Sequence, residues 1–175
     1  MRPAVFVDRD GVLNKTIYLK GVPTPPRSIK EVEILSGVKE AILLFKSYGL
    51  EVIVVTNQPD VARGRTSRAD VEQINAFLSM ELEIQHFYVC YHDDDDSCHC
   101  RKPNPGLLEA AAQELDIDLA RSFLVGDRWK DIDAGNAVSC KSYLVDYGFE
   151  EQQPRGNFTR VKSLLDAATQ ITYLK

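Results

Sequence analysis

The chain has 175 residues, 44% of them hydrophobic and 27% charged, with a formal net charge of −5. That length suits one domain of ordinary size, here expected to span 1–175, and leaves little room for two. Charged residues interrupt every apolar run well short of the ~18 residues a membrane-spanning helix needs, and the acidic balance argues against a nucleic-acid binder, which needs a basic face.

Taken in order, short β-rich runs alternate with helical segments. Ala4–Asp8 (AVFVD) predicts a strand. The residues before it lack the long apolar stretch of a secretory signal, so the chain is expected in the cytoplasm. Gly21–Arg27 (GVPTPPR) predicts a loop. Ser36–Tyr48 has Val38, Ala41, Ile42, Leu44 and Phe45 at near-helical spacing and stops at Gly49. Leu50–Thr56 (LEVIVVT) is β-branched and nearly all apolar, like a strand buried on both faces. Ser67–Glu83 predicts a helix with Ser67 as its N-cap, and His86–Tyr91 a strand. Asp93–Asp96 is a charged loop. Pro105–Leu115 opens with Pro, which suits a first helical turn. Ser122–Gly126 predicts a strand, Asp131–Val138 a short helix and Lys141–Val145 a strand. Gly148–Gly156 is polar and turn-rich, and Val161–Ala168 predicts a terminal helix. Strands separated by helices imply βαβ units, hence an α/β, Rossmann-like three-layer sandwich with a mostly parallel sheet.

In open α/β sheets, ligands bind beyond the carboxyl ends of the strands. Asp8-Arg9-Asp10-Gly11, Thr56-Asn57-Gln58 and Gly126-Asp127 each sit at such an end, so three polar clusters converge. Asp8 and Asp10 are i and i+2 in an extended segment and face the same way. With Asp127 they make an oxygen-rich set suited to Mg²⁺. One carboxylate can attack a phosphoryl group, and the other can serve as general acid and base. Thr56, Asn57 and Lys102 offer donors and a charge for phosphate oxygens.

Three of the four cysteines fall in a second cluster. Cys90-Tyr91-His92, five residues, then Cys98-His99-Cys100 supply three thiolates and an imidazole, as a closed, structural Zn²⁺ site requires. His99 competes with His92 for the fourth position, but it lies between two ligands and should point away. The loop has no apolar residue from Asp93 to Ser97, so a metal would replace its missing core. It runs straight into Arg101-Lys102, and would fix both cations. The Asp93–Asp96 run reads either as a solvated loop tip or as negative charge that discourages highly anionic substrates.

Asp8-Arg9-Asp10-Gly11-Val12-Leu13-Asn14, Thr56-Asn57-Gln58, Arg101-Lys102-Pro103 and Gly126-Asp127-Arg128-Trp129-Lys130-Asp131 match, in order, the four motifs of the haloacid dehalogenase superfamily. The chain resembles its capless branch, which contains heptose bisphosphate phosphatases and histidinol-phosphate phosphatases, both with a zinc loop of this kind. Gly11-Val12-Leu13-Asn14 and Arg101-Lys102-Pro103-Asn104-Pro105-Gly106 lean to the former, whereas Pro59-Asp60 stands where they usually have Ser-Gly. The resemblance implies Asp8 as nucleophile, Asp10 as general acid/base, and Thr56 and Lys102 as stabilisers of the transferring group. It implies Mg²⁺ on Asp8, Asp127 and the Asp10 carbonyl, with Asp131 behind them. Asn57, Gln58, Arg101 and Arg128 would meet the substrate, a small phosphorylated metabolite of carbohydrate metabolism. Thr56 comes 45 positions after Gly11, too few for a cap domain, so an open site on a monomer is expected. A non-catalytic, zinc-stabilised phospho-ligand module is the alternative of another class.

Overall fold

The structure, a computed structural model, describes residues 1–19 and 22–173. Six parallel strands form one sheet: β1 (Ala4–Val7), β4 (Glu51–Asn57), β5 (His86–Cys90), β6 (Phe123–Gly126), β7 (Lys141–Val145) and β8 (Phe158–Val161). Their order across the sheet is β5-β4-β1-β6-β7-β8. The chain therefore builds outward from β1 on one side, then crosses back and builds outward on the other. The crevice between β1 and β6 is the switch point at which such sheets bind ligands.

Alternation along the strands divides the core into two layers. Val5, Val7, Val52 and Val54 face one side and pack with α1 (Val38–Ser47), α2 (Arg68–Leu82) and α5 (Leu164–Tyr173). Ala4, Phe6, Ile53 and Val55 face the other, against α3 (Gly106–Leu115) and α4 (Trp129–Ala137). β1 is buried along its whole length, which explains its lack of any polar residue before Asp8. Between Gly11 and β4 the described residues form a hairpin of β2 (Ile17–Leu19) and β3 (Val22–Thr24), a 3₁₀ turn at Ile29–Glu31 and α1.

Several expectations need correction. The expected loop at Gly21–Arg27 contributes Val22–Thr24 to the hairpin; Gly21 itself lies outside the described residues. Val161 does not open the terminal helix but closes β8, a strand pairing with β7. β8 gave little signal because only Val161 of its four residues is buried. The helix runs on past Ala168 to Tyr173, because Ile171 still reaches the core. The helix expected from Asp131 begins at Trp129, where Asp131 accepts the Arg128 backbone N–H at 3.0 Å and caps the first turn. Ser67 caps α2 as expected: its hydroxyl accepts from Asp70 N at 3.0 Å, and the Asp70 carboxylate accepts in return from Ser67 N at 3.3 Å.

Phe45 of α1 is fully buried in the larger layer. Phe45→Ala should cost about 3–5 kcal/mol of unfolding free energy, because the cavity cannot close against the rigid strands. Urea unfolding measures this, and a loss below about 1 kcal/mol would mean that α1 repacks freely.

Candidate active site and zinc loop

β4, β1 and β6 are neighbours, so their carboxyl ends lie side by side, roughly one strand spacing of 4.8 Å apart. That places Asp8, Thr56-Asn57 and Asp127 at one mouth, lining a cleft of about 870 Å³ together with Asp10, Arg101, Lys102, Arg128 and Asp131. At its centre the Lys102 ammonium donates to Asp8 Oδ1 at 2.9 Å, Asp131 Oδ1 at 2.5 Å and the Val55 carbonyl at 2.7 Å. All three of its protons are thereby used, and it is 2% exposed. Burial opposes its charge, but the Asp131 and Asp8 carboxylates prevail and hold its pKa above the ordinary lysine value.

The acids outnumber this cation. Burial pushes the Asp8 carboxyl up to about 7; Lys102 pulls it down, while Asp131 and Asp10 push it further up. Asp127 is raised well above the usual carboxylate range, by burial first and then by Asp8 and Asp131. Its Oδ1 is buried without a hydrogen-bond partner. Glycine is required beside it: Gly11 adopts φ +87°, and a Cβ there would fall on the Asp127 carboxylate.

Asp10 is held differently. It accepts from Gln58 Nε2 at 2.8 Å and Asn14 Nδ2 at 2.9 Å, and pairs with Arg9 NH2 at 3.0 Å. Arg9 is fully buried and also donates to Asn75 Oδ1 on α2 at 2.9 Å. Arg9 is not among the residues lining the cleft; its guanidinium runs between Asp10 and α2.

In the cysteine cluster, the Sγ–Sγ separations among Cys90, Cys98 and Cys100 are 3.2, 3.5 and 3.7 Å. His92 Nδ1 lies 3.2 Å from Cys100 Sγ and 3.5 Å from Cys90 Sγ. The four ligand atoms all fall within 4.8 Å of one another. His99 instead pairs with Glu109 at 2.6 Å.

The family model for HAD-hydrolase-like proteins matches residues 99–167. The D-glycero-beta-D-manno-heptose-1,7-bisphosphate 7-phosphatase of Escherichia coli K12 is 34% identical over 150 residues, covering 78% of this chain and 75% of that enzyme. Its namesake from Helicobacter pylori strain 26695 is 33% identical over 148 residues, covering 81% and 82%. The chain belongs to the haloacid dehalogenase-like phosphatases. A crystal structure of a D,D-heptose 1,7-bisphosphate phosphatase from B. bronchiseptica, complexed with magnesium and phosphate, aligns over the full length of both chains with a TM-score of 0.84 and 27% identity.

Both metals implied by this phosphatase family fit the residues present. Asp8, Asp127 and Asp131 can each bring a carboxylate oxygen within 4.8 Å of the others, and the partnerless Asp127 Oδ1 suits a metal ligand. Hard oxygen donors favour Mg²⁺. The sulfur and nitrogen separations, 3.2–3.7 Å, lie at or just below the ~3.5–3.8 Å edges of a tetrahedron with Zn²⁺ bonds of 2.0–2.3 Å.

Of the ten residues expected at the phosphatase cleft, nine line it; Gln58 does not. Gln58 is 1% exposed and donates to Thr56 Oγ1 at 2.9 Å as well as to Asp10. Asn57 is engaged by the backbone of Lys102, accepting from its N–H at 3.1 Å and donating to its carbonyl at 3.0 Å. Arg128 pairs with Glu151 at 2.5 Å. Sequence reasoning missed Arg9, Asn75 and Glu151. The alternation at Asp8-Arg9-Asp10 was the one available signal for Arg9; nothing local announces the other two. Tyr147 donates to the Gly11 carbonyl at 2.9 Å.

Without metal, the folded protein holds a proton on Asp8 up to about 7, whereas the unfolded chain releases it near 3.8. The carboxyl therefore favours the fold at low pH, and that contribution is lost as pH rises between those values. Protons and Mg²⁺ compete for the same oxygens. The rise in melting temperature on adding Mg²⁺ should accordingly be several degrees larger at about pH 8 than at about pH 5.5. Differential scanning fluorimetry measures it, and equal shifts at both pH values would separate the cation from these acids.

Proposed function

We propose that this chain is a Mg²⁺-dependent phosphomonoester hydrolase that removes the 7-phosphate of D-glycero-β-D-manno-heptose 1,7-bisphosphate through an aspartyl-phosphate on Asp8. The observation that carries the reading is the pairing of two differently held carboxylates at one mouth. Asp8 sits against Lys102 among the buried acids, whereas Asp10 is locked by Gln58, Asn14 and Arg9. Neighbouring acids in unlike surroundings suit a nucleophile and a general acid/base.

In this reading an Asp8 carboxylate oxygen attacks phosphorus, and the bond to the ester oxygen breaks. Asp10 gives its proton to that leaving oxygen. Asp10 then takes a proton from water, whose oxygen attacks the aspartyl-phosphate and frees Asp8 and inorganic phosphate. The Thr56 hydroxyl accepts from Gln58, which leaves its own proton for a phosphate oxygen. Lys102 neutralises the nucleophile's neighbourhood and the transferring group. Bound at Asp8 and Asp127, with Asp131 behind, Mg²⁺ would supply charge stabilisation for the phosphoryl oxygens.

Relatives at 33–34% identity over three quarters or more of both chains support the heptose substrate. So does the cleft, where Arg101 and Lys130 add cations beyond Lys102 for a second anionic group. Cysteines used as zinc ligands fit a reducing cytoplasm, and one continuous six-stranded sheet fits a single domain.

Phosphate release from heptose 1,7-bisphosphate, histidinol phosphate and an aryl phosphate tests the reading. The heptose bisphosphate should show the highest kcat/KM, and turnover should require Mg²⁺. Preference for histidinol phosphate would move the chain to the sister phosphatases. Asp8→Asn should lower kcat by at least about 10³-fold while sparing the fold and the zinc. An active Asp8→Asn protein would end the aspartyl-phosphate proposal.

Zinc would act on activity through Arg101 and Lys102, which directly follow Cys100. A zinc-selective chelator, used with Mg²⁺ in excess, should lower kcat/KM by about tenfold or more. Full activity in zinc-free protein would make the loop irrelevant to the site.

A further inference from the structure

The cleft contains an anion supplied by the chain itself. Asp94 Oδ1 accepts from Arg101 Nε at 2.9 Å and Lys130 Nζ at 3.2 Å, and Asp94 Oδ2 lies 3.4 Å from Arg63 NH2. The three cations come from distant parts of the sequence: the loop after β4, the end of the zinc loop and the first turn of α4. All three, and Asp94, line the cleft that holds Asp8. Both Arg101 and Lys130 hold Asp94 below the usual carboxylate range by hydrogen bonding to it, against its partial burial.

Asp94 is not needed to shape its own loop. The 3₁₀ turn at Asp94–Asp96 is closed by its neighbours: Asp93 N donates to Asp96 Oδ2 at 2.6 Å and Asp94 N to Asp93 Oδ1 at 2.7 Å. Arg63 already has a two-point partner in Asp93, at 2.5 and 2.8 Å. What remains is a carboxylate, 56% exposed, laid across two cations that have no other acidic partner among the described residues. Arg101 is itself nearly buried, and its other contact is the His92 carbonyl at 3.3 Å. Convergent cations of this kind suit a phosphate or carboxylate group. A bound anion must either displace Asp94 or tolerate its charge.

We infer that Asp94 is a specificity-determining residue, whose carboxylate competes with the distal anionic group of the substrate for Arg101 and Lys130. It rests on the proposal that this cleft is the phosphatase site. Asp94 thereby limits the advantage that a two-anion ester has over its one-anion counterpart. Losing the charge should raise that advantage by about fivefold to tenfold, the size expected for one unit charge at a partly exposed site.

The test compares heptose 1,7-bisphosphate with heptose 7-phosphate as competitors of aryl phosphate turnover. The inhibition constants are measured for the unmodified holoenzyme, Asp94→Asn and Asp94→Ser. A rise of threefold or more in the bisphosphate's relative affinity, shrinking at high salt, supports the proposal. A smaller rise, or a fall, overturns it. Asp95→Asn removes the same charge from the same turn, so an equal shift there overturns the proposal in favour of a diffuse field. Zinc content is read on each variant. Loss of zinc in both Asp94 variants also overturns it, since the carboxylate would then be holding the loop. Absence of aryl phosphate turnover in the unmodified enzyme sinks the hydrolase reading as well, whereas an unmoved ratio in an active enzyme sinks the Asp94 inference alone.

Discussion

Three buried carboxylates and one buried ammonium share the mouth of the sheet, and that imbalance governs the rest of the structure. Lys102 answers Asp8 and Asp131 directly, but Asp127 has an oxygen with no partner. The cluster carries a surplus of two negative charges when all its acids are ionised. Crowding of this kind is costly in a poorly solvated site. A protein keeps it where a divalent cation, or a proton, completes the balance. The fit to a hard cation follows from that unfinished balance, and the neighbouring acids add to the burial that raises Asp8 and Asp127.

Around this centre, polar side chains serve as clips between strand ends. Asn57 spends both halves of its amide on the Lys102 backbone. Gln58 joins Thr56 to Asp10, and Arg9 joins Asp10 to α2 through Asn75. These contacts tie β1, β4, α2 and the segment leaving the zinc loop into one rigid frame. Rigidity matters because phosphoryl transfer depends on positioning and preorganised charge. Removing any one clip leaves a buried polar group unpaired, which costs more than the hydrogen bond itself contributed.

The zinc loop extends the same logic beyond the sheet. A run of four aspartates and few apolar residues cannot make a core of its own. A tetrahedral metal at its base and arginine pairs at its tip supply what packing does not. Asp93 and Asp94 grip Arg63, Arg101 and Lys130, so the tip is neither solvated at random nor a bare negative patch. The loop therefore joins metal, cations and cleft in a single element.

Periodicity and position alone pointed to the parallel sheet, most helix boundaries within two residues, the strand-end acids and the Cys90, His92, Cys98 and Cys100 cluster. Each of these depends on residues close together in the chain, or on the rule that strand ends converge. The weakly apolar β8 and the hairpin escaped because their signal lies in pairing rather than in pattern. Only the folded chain decided that Gln58 turns inward, that Arg9 reaches Asn75, that Glu151 meets Arg128 and that Asp94 lies across Arg101 and Lys130. Charge pairing acts through space over a few ångströms, between segments that sequence separation leaves unrelated, so no local reading could have assigned those partners.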